Sequence, residues 1–120
     1  MKKILVAEDD KFLAAAYKAK LGKLGWEVRV AGDGAEALEI LGEFVPDAIL
    51  LDLVMPRMDG FAVLVELKKN PAWAKIPVLV ASNLGQKEDI DRSRELGAVG
   101  YVVKADLSID ELVRKIEEAI

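Results

Sequence analysis

The sequence predicts an α/β fold in which five parallel strands alternate with five helices around one doubly wound sheet. Short apolar runs alternate with longer amphipathic segments, which is the pattern of repeated strand–helix units. The connections between these segments are short and favour right-handed crossovers, which place helices on both faces of an open sheet. The apolar runs lie at 4–7, 26–31, 48–51, 78–81 and 99–103.

The second run differs from the other four and indicates the order of the strands. Glu27 and Arg29 interleave with Val28 and Val30, so one face of this strand is partly exposed to solvent, as an edge strand permits. The other runs are uninterrupted, which is typical of strands inside a sheet. We therefore predict a flavodoxin-like (βα)5 sandwich with strand order 2-1-3-4-5.

Local capping signals predict where the helices begin and end. Polar residues that suit helix starts, and glycines that suit helix ends, flank the amphipathic segments. The start residues are Asp33, Asp59 and Ser108 with Glu111, and the end residues are Gly25 and Gly97. The fourth helix has only Ile90 and Leu96 as strong apolar anchors, so we expect it to be the most loosely held, whereas the fifth carries apolar residues as far as Ile120.

Composition excludes several classes of function. The 120 residues, 52% hydrophobic and 32% charged, suit one folded domain over residues 1–120, without a linker or repeat. The chain has no Cys and no His, which excludes disulfides, thiolate nucleophiles, Ser-His triads and His-ligated metals. A net charge of −4 provides no basic surface, so we expect no direct binding of nucleic acid or anionic lipid.

The first residues do not resemble a targeting signal. Lys2 and Lys3 are followed by only four apolar residues before Glu8, and no apolar stretch approaches the roughly 20 residues that span a bilayer. We expect a cytoplasmic location without a membrane segment.

Polar side chains follow four of the predicted strands. Glu8–Asp10 come after the first strand, Asp52 after the third, Ser82 ends the fourth and Lys104 follows the fifth. Ligands of doubly wound sheets bind beyond the carboxyl ends of the strands, where the strand order reverses, which here is between strands one and three. The acids of the first loop and Asp52 should therefore converge.

Each of these residues also has a purely structural interpretation. One acid of Glu8–Asp10 could cap the first helix, and Lys104 alone could be a surface lysine. Three adjacent acids exceed what a cap needs, and Asp52 among apolar neighbours requires a cation. Clustered carboxylates at a site that keeps several waters suit Mg²⁺. Together with a hydroxyl and an ammonium, they indicate an aspartate that accepts a phosphoryl group.

Four motifs in this order resemble a known family. They are Ile4–Asp10, Asp47–Gly60, Ile76–Ser82 and Gly100–Lys104. With them the sequence resembles, over essentially all 120 residues, the receiver domains of two-component response regulators, the CheY-like family.

The resemblance implies roles for the residues of the acidic site. Asp52 would be phosphorylated by a histidine kinase or a phosphotransfer protein. The metal site for Mg²⁺ would comprise Asp9 as a direct ligand, Glu8 ordering metal-bound waters, Asp52 and the backbone carbonyl of Val54. Such a domain catalyses only its own phosphorylation and a slow autodephosphorylation, so it is a switch rather than an enzyme with turnover.

The resemblance also implies how the signal leaves the site. Ser82 and Lys104 would hold phosphoryl oxygens, and Ser82 and Tyr101 would move together on phosphorylation. This movement would change the face made by the fourth helix, fifth strand and fifth helix, which would contact an output protein or domain, or a second copy of the chain in a homodimer.

Two departures from the family pattern and two apolar positions bear on the site. Ala105 replaces the usual proline after the lysine, which leaves a cis or a trans Lys104–Ala105 bond open, and Asp106 could compete for the charge of Lys104. Ser82 replaces the commoner threonine but keeps the hydroxyl. Apolar Val54 and Leu84 should flank the path of water to the acyl phosphate, which predicts slow autodephosphorylation.

Two other functions remain open at this point. A phosphatase of the haloacid dehalogenase type also uses an aspartate at a strand end, but it needs a second acid two residues later, where this chain has Val54. A receiver-like binding or dimerisation module that works without phosphorylation, or a designed scaffold on this template, is the second alternative.

Overall fold

A computed structural model describes residues 2–119 of the chain. Ile120, which the sequence assigns to the apolar face of the last helix, lies outside the described residues. None of the helices within 2–119 combines the length and the apolar character needed to cross a bilayer.

Five strands alternate with five helices, as the sequence predicts. The strands are β1 (Lys3–Ala7), β2 (Glu27–Ala31), β3 (Ala48–Leu51), β4 (Val78–Ser82) and β5 (Gly100–Val103). The helices are α1 (Lys11–Lys23), α2 (Gly34–Leu41), α3 (Gly60–Lys69), α4 (Lys87–Glu95) and α5 (Ile109–Glu118). All strand pairs are parallel and their order is β2-β1-β3-β4-β5, so the predicted flavodoxin-like topology is confirmed.

The sequence patterns of the two edge strands differ in how well they predicted an edge position. β2 is an edge strand with one exposed residue, three half-buried ones and one buried one, as its alternating pattern predicts. β5 is the other edge, and all four of its residues are half-buried. The prediction that an uninterrupted apolar run marks an interior strand was therefore wrong for β5. Helices can cover the apolar side chains of an edge strand on both faces of the sheet, while its outer backbone edge pairs with no further strand of residues 2–119.

Alternate residues of the central strands supply two hydrophobic layers. Leu5, Ile49 and Leu51 belong to the layer that also contains the buried residues of α2 and α3. Val6 and Leu50 point to the opposite layer, with the buried residues of α1 and α5. The period-two alternation of a strand thus fills both faces of the sheet, and polar side chains can reach solvent only past the strand ends.

Helix caps agree with the sequence signals. Asp33, Asp59 and Ser108 are the N-cap residues of α2, α3 and α5, and Ser108 forms a complete capping box with Glu111. Asp10 caps α1, so one acid of the first loop does have the structural role that was left open.

Helix α4 is weakly anchored, as predicted. It buries only Ser93, whereas each of the other four α-helices buries three or more residues. Its N-cap residue, Gln86, makes no side-chain capping bond. A helix that buries so little surface belongs to the less stable part of a fold.

Candidate functional site

Strand register places the first two acids of the site side by side. In the β1–β3 pair Ala7 lies opposite Leu51, so the next residues, Glu8 and Asp52, leave adjacent strands at the same level. The sheet ladder continues one step further, because the backbone N–H of Asp52 donates to the carbonyl of Ala7 at 3.0 Å. The backbone positions of Glu8 and Asp52 are therefore fixed by the pairing of β1 with β3.

Three carboxylates converge at this edge of the sheet. Glu8, Asp9 and Asp52 each offer an oxygen, and these oxygens lie within 4.8 Å of one another. Glu8 and Asp52 are buried, whereas Asp9 is exposed. The third member of the first loop, Asp10, turns its side chain to the N-terminus of α1 instead.

Lys104 bridges the two buried acids. Its Nζ lies 2.8 Å from Glu8 Oε1 and 3.0 Å from Asp52 Oδ2, and its side chain is only 12% exposed. Burying two carboxylates without a counter-charge would be costly, so the ammonium is required for this arrangement.

The shifted pKa values follow from this crowding. Burial, reinforced by the charge of Asp52, raises the pKa of Glu8 to about 7, although Lys104 and the Asp10 N–H oppose the change. Burial disfavours the charged form of Lys104, but its hydrogen bonds to Glu8 and Asp52 outweigh this effect and raise its pKa. The lysine therefore stays charged.

The loop after β5 places Lys104 without a proline. Residues Lys104–Asp106 form one 3₁₀ turn, and residues 2–119 contain no cis peptide bond, so the Lys104–Ala105 bond is trans. The acids paired with Lys104 are Glu8 and Asp52, so Asp106 does not take their place.

Asn83 is a site residue that the sequence reasoning missed. Its Oδ1 accepts a hydrogen bond at 3.1 Å from the backbone N–H of Ala105 and so ties the end of β4 to the turn that carries Lys104. Its position directly after Ser82 was the available signal, because an amide at a strand end can hold a neighbouring loop.

Ser82 and Tyr101 are connected through Leu84. Ser82 is fully buried, and its Oγ accepts a hydrogen bond at 3.3 Å from the backbone N–H of Leu84. The Tyr101 hydroxyl donates to the carbonyl of the same residue. Ser82 lines the cleft, whereas Tyr101 is not among the lining residues and packs against the layer that contains α2 and α3.

The cleft that these side chains form is about 420 Å³ in volume. Its polar lining consists of Glu8, Asp9, Asp10, Asp52, Ser82, Asn83 and Lys104. The apolar side chains at its rim are Val54, which is 58% exposed, and Leu84. The structure thus brings together all the predicted site residues except Tyr101.

A tight backbone contact holds the start of α3 against the residues that follow β3. A Cβ atom on Gly60 would lie 2.3 Å from the carbonyl oxygen of Asp52, so only glycine allows α3 to begin this close to β3. The backbone N–H of Gly60 donates to the Leu53 carbonyl at 2.9 Å. The two ends of the loop from Asp52 to Asp59 are therefore held together.

The donor set fits a small divalent cation. Three carboxylates and one ammonium leave a formal charge of −2, and all the donors are hard oxygens. Val54 lines the same cleft, and its backbone carbonyl could add one more oxygen. Hard oxygen donors such as these carboxylates suit Mg²⁺ or Mn²⁺ better than zinc or copper.

Comparison with known proteins identifies the family. The family model described as "Response regulator receiver domain" matches residues 4–117. The chain therefore belongs to the receiver domains of two-component response regulators, and the resemblance inferred from the four motifs is confirmed.

Relatives and solved structures agree with this assignment. The gliding motility regulatory protein of Myxococcus xanthus is 36% identical over 96% of this chain and 15% of its own length. The Mn²⁺-bound form of the response regulator Rcp1 is 32% identical, with a TM-score of 0.87 over 98% of this chain and 93% of that one. The phosphorylated cyanobacterial phytochrome response regulator RcpA is also 32% identical, with a TM-score of 0.85 over 98% and 89% of the two chains.

Curated relatives are mostly longer proteins. The chain spans between 15% and 50% of the length of the first eight. The similarity is therefore to their receiver portion.

Proposed function

We propose that this chain is a phosphorylation-dependent switch that accepts a phosphoryl group on Asp52 in a Mg²⁺-dependent reaction. One observation carries the proposal: Asp52, Ser82 and Lys104 line a single cleft with the acids Glu8 and Asp9. A nucleophile, two groups that can hold phosphoryl oxygens and a set of metal ligands are the parts that phosphoryl transfer needs.

The transfer step forms one bond and breaks another. A carboxylate oxygen of Asp52 attacks the phosphorus of a phosphohistidine, an O–P bond forms, and the P–N bond to the imidazole breaks. The donor histidine belongs to a kinase or a phosphotransfer protein, since this chain has no His.

The residues that would hold Mg²⁺ are Glu8, Asp9, Asp52 and the backbone carbonyl of Val54. When bound, the cation supplies positive charge that offsets the repulsion between the carboxylates and an incoming phosphoryl group. The structure supports this assignment through the convergence of three carboxylate oxygens, and the Mn²⁺-bound relative Rcp1 is consistent with it.

Lys104 and Ser82 would change partners on phosphorylation. The Lys104 ammonium, 3.0 Å from Asp52 Oδ2, can follow the new negative charge onto a phosphoryl oxygen. The Ser82 hydroxyl can donate to a second oxygen, because its present bond to Leu84 uses it only as an acceptor. These two groups would therefore stabilise the charge of the transferred group.

The same exchange would carry the signal to the surface. A change at Ser82 disturbs its bond to Leu84, whose carbonyl accepts the bond from Tyr101. Tyr101 belongs to β5, next to the weakly anchored α4. We infer that the α4-β5-α5 face then changes, and that this face contacts an output protein or domain, or a second copy of the chain.

A small phosphodonor tests the proposal without the kinase. Incubation with acetyl phosphate and Mg²⁺ should add one phosphoryl group, seen by intact-protein mass spectrometry, and beryllofluoride should shift the amide NMR signals of α4 and β5. Asp52→Asn should abolish both effects. Asp47→Asn is the matched control, because Asp47 is exposed at the opposite end of β3, where it accepts a bond from the Lys3 N–H. Phosphorylation of Asp52→Asn, or none of the wild type, would contradict the proposal.

The alternatives predict other results. A phosphatase of the haloacid dehalogenase type would turn over phosphate esters, for which Val54 offers no acid. A binding module that works without phosphorylation would keep its partner and its NMR spectrum unchanged by either reagent.

A further inference from the structure

Two loops beside the metal-binding cleft are tied together by an ion pair. Arg57 lies in the loop that joins β3 to α3, and Asp33 lies between β2 and α2. The Nε of Arg57 donates to Asp33 Oδ2 at 2.9 Å, and its Nη2 contacts the same oxygen. The backbone N–H of Gly34 also donates to the carbonyl of Met58 at 3.0 Å.

Asp33, the partner at the start of α2, is held rigidly. Asp33 is 2% exposed, and its other oxygen, Oδ1, accepts the capping bond from the Glu36 N–H at 2.8 Å. These partners, the Glu36 N–H first and then Arg57, hold the pKa of Asp33 below its usual range. A Cβ atom on Gly34 would lie 2.5 Å from the Met58 oxygen, so the loop packs directly on the start of α2.

The side that belongs to the loop is strained. Arg57 has φ +64°, and within residues 2–119 it is the one residue other than glycine with a positive φ. Such a conformation persists when the surroundings hold it in place, and it often lies next to a functional site. Its side chain is 74% exposed, so burial does not hold it, whereas its two contacts with Asp33 do.

We propose that Arg57 is a positioning residue for the divalent cation, because its bond to Asp33 fixes the loop that carries Val54. This inference rests on the proposed function, which assigns the Val54 carbonyl to the metal. Val54 lies three residues before Arg57, with its N–H 3.4 Å from Asp52 Oδ1. Groups that orient a ligand from outside the coordination sphere commonly change metal affinity.

Charge and positioning predict opposite signs for the loss of Arg57. Removing a positive charge near three carboxylates should strengthen the binding of Mg²⁺ by Coulomb attraction. Releasing the loop that carries Val54 should weaken the binding of Mg²⁺. The sign of the change therefore separates the two effects.

Calorimetric titration of the metal-free protein with MgCl₂ measures this sign directly. The variants are Arg57→Gly, which removes the ion pair and relieves the backbone strain, and Asp33→Asn, which keeps an N-cap for α2. Arg57→Lys keeps the charge but offers a point contact in place of the guanidinium fork. Lys18→Gln is the control, because Lys18 is exposed on the groove that Arg57 and Asp33 also line.

We expect Arg57→Gly and Asp33→Asn each to weaken Mg²⁺ binding about tenfold, with little further loss in the double variant. Arg57→Lys should be intermediate, and Lys18→Gln unchanged or slightly tighter. At saturating Mg²⁺ the rate of phosphorylation of Arg57→Gly by acetyl phosphate should return to that of the wild type, which a general structural defect would not allow.

Unchanged or tighter Mg²⁺ binding by Arg57→Gly, while the wild type binds Mg²⁺ and becomes phosphorylated, would overturn this inference and leave the proposed function intact. Wild-type protein without affinity for Mg²⁺ would overturn both.

Discussion

The ammonium nitrogen of Lys104 lies 3.0 Å from Asp52 Oδ2, so the end of the fifth strand supplies the counter-charge for the acid that ends the third. The same nitrogen is 2.8 Å from Glu8 Oε1. One side chain from the end of β5 thus neutralises part of a carboxylate cluster that follows the ends of β1 and β3. This relationship makes the stability of the metal-free protein depend on the same groups that we propose take part in phosphoryl transfer.

Replacement of Lys104 should destabilise the metal-free protein. Lys104→Met keeps an unbranched side chain that is shorter by the ammonium group alone, and it leaves Glu8 and Asp52 without their cation, which should cost about 3 kcal/mol of unfolding free energy. Mg²⁺ should recover part of this loss, because it binds only the folded state. Urea denaturation with and without Mg²⁺ measures both effects.

Lys115→Met is the control for this experiment. Lys115 is exposed on α5 and, among the described residues, pairs with Glu118 alone, at 3.9 Å on the surface, so its loss should change stability by less than about 0.5 kcal/mol. Equal effects of the two substitutions would show that the Lys104 bridge contributes no more than a surface pair.

Glu8 should make the metal-free protein less stable as the pH rises. Burial raises the pKa of Glu8 from 4.5 to about 7, so the folded state binds this proton more tightly than the unfolded chain does. The free energy of unfolding should therefore fall between pH 4.5 and pH 7, by at most about 3 kcal/mol. Chemical denaturation in the presence of a chelator, at several pH values, measures the slope.

Glu8→Gln isolates this group from the other carboxylates. The variant cannot titrate at position 8, so its stability should vary less over the same pH range. Identical pH profiles for the two proteins would contradict the assignment of the raised pKa to Glu8.

Gly60 should tolerate no side chain. In Gly60→Ala the new methyl group would meet the Asp52 carbonyl oxygen and the Leu53 Cα, at 2.3 and 2.8 Å, so the backbone that carries Asp52 must move. We expect a loss of about 2 kcal/mol from overpacking and a lower rate of phosphorylation. Thermal unfolding and phosphorylation by acetyl phosphate measure these two effects.

Gly22→Ala is the matched control, because no atom of residues 2–119 lies within 4 Å of a Cβ atom at that position of α1. Alanine there should stabilise the helix by about 0.5–1 kcal/mol and leave phosphorylation unchanged. A harmless Gly60→Ala would show that the start of α3 can move away from β3 without cost.

The acyl phosphate should decay slowly. Val54 and Leu84 line the cleft with apolar side chains and offer no group that could orient an attacking water. The double variant Val54→Asn, Leu84→Glu should shorten the half-life of the phosphorylated protein, which can be followed by mass spectrometry after the phosphodonor is removed. Similar half-lives for the wild type and the double variant would refute the prediction.

Much of the fold could be predicted because local patterns and the sheet agree. The alternation of Glu27 and Arg29 with valines matches an edge strand, and Asp33 and Ser108 cap their helices as their positions suggest. The β5 run was misleading, because apolar residues cover a sheet equally well at an edge and in the middle.

The sequence by itself determined which residues could form the site, since parallel strands deliver their following residues to one edge whatever the details of packing. Glu8, Asp52, Ser82 and Lys104 could be identified for this reason. Only the tertiary structure decided their partners: the trans turn that directs Lys104 to Glu8 and Asp52, the Asn83 bond that holds this turn, and the tie between Arg57 and Asp33. Asp33 and Arg57 are 24 residues apart in the chain, and such contacts depend on how loops pack against each other, which no local pattern of residues encodes.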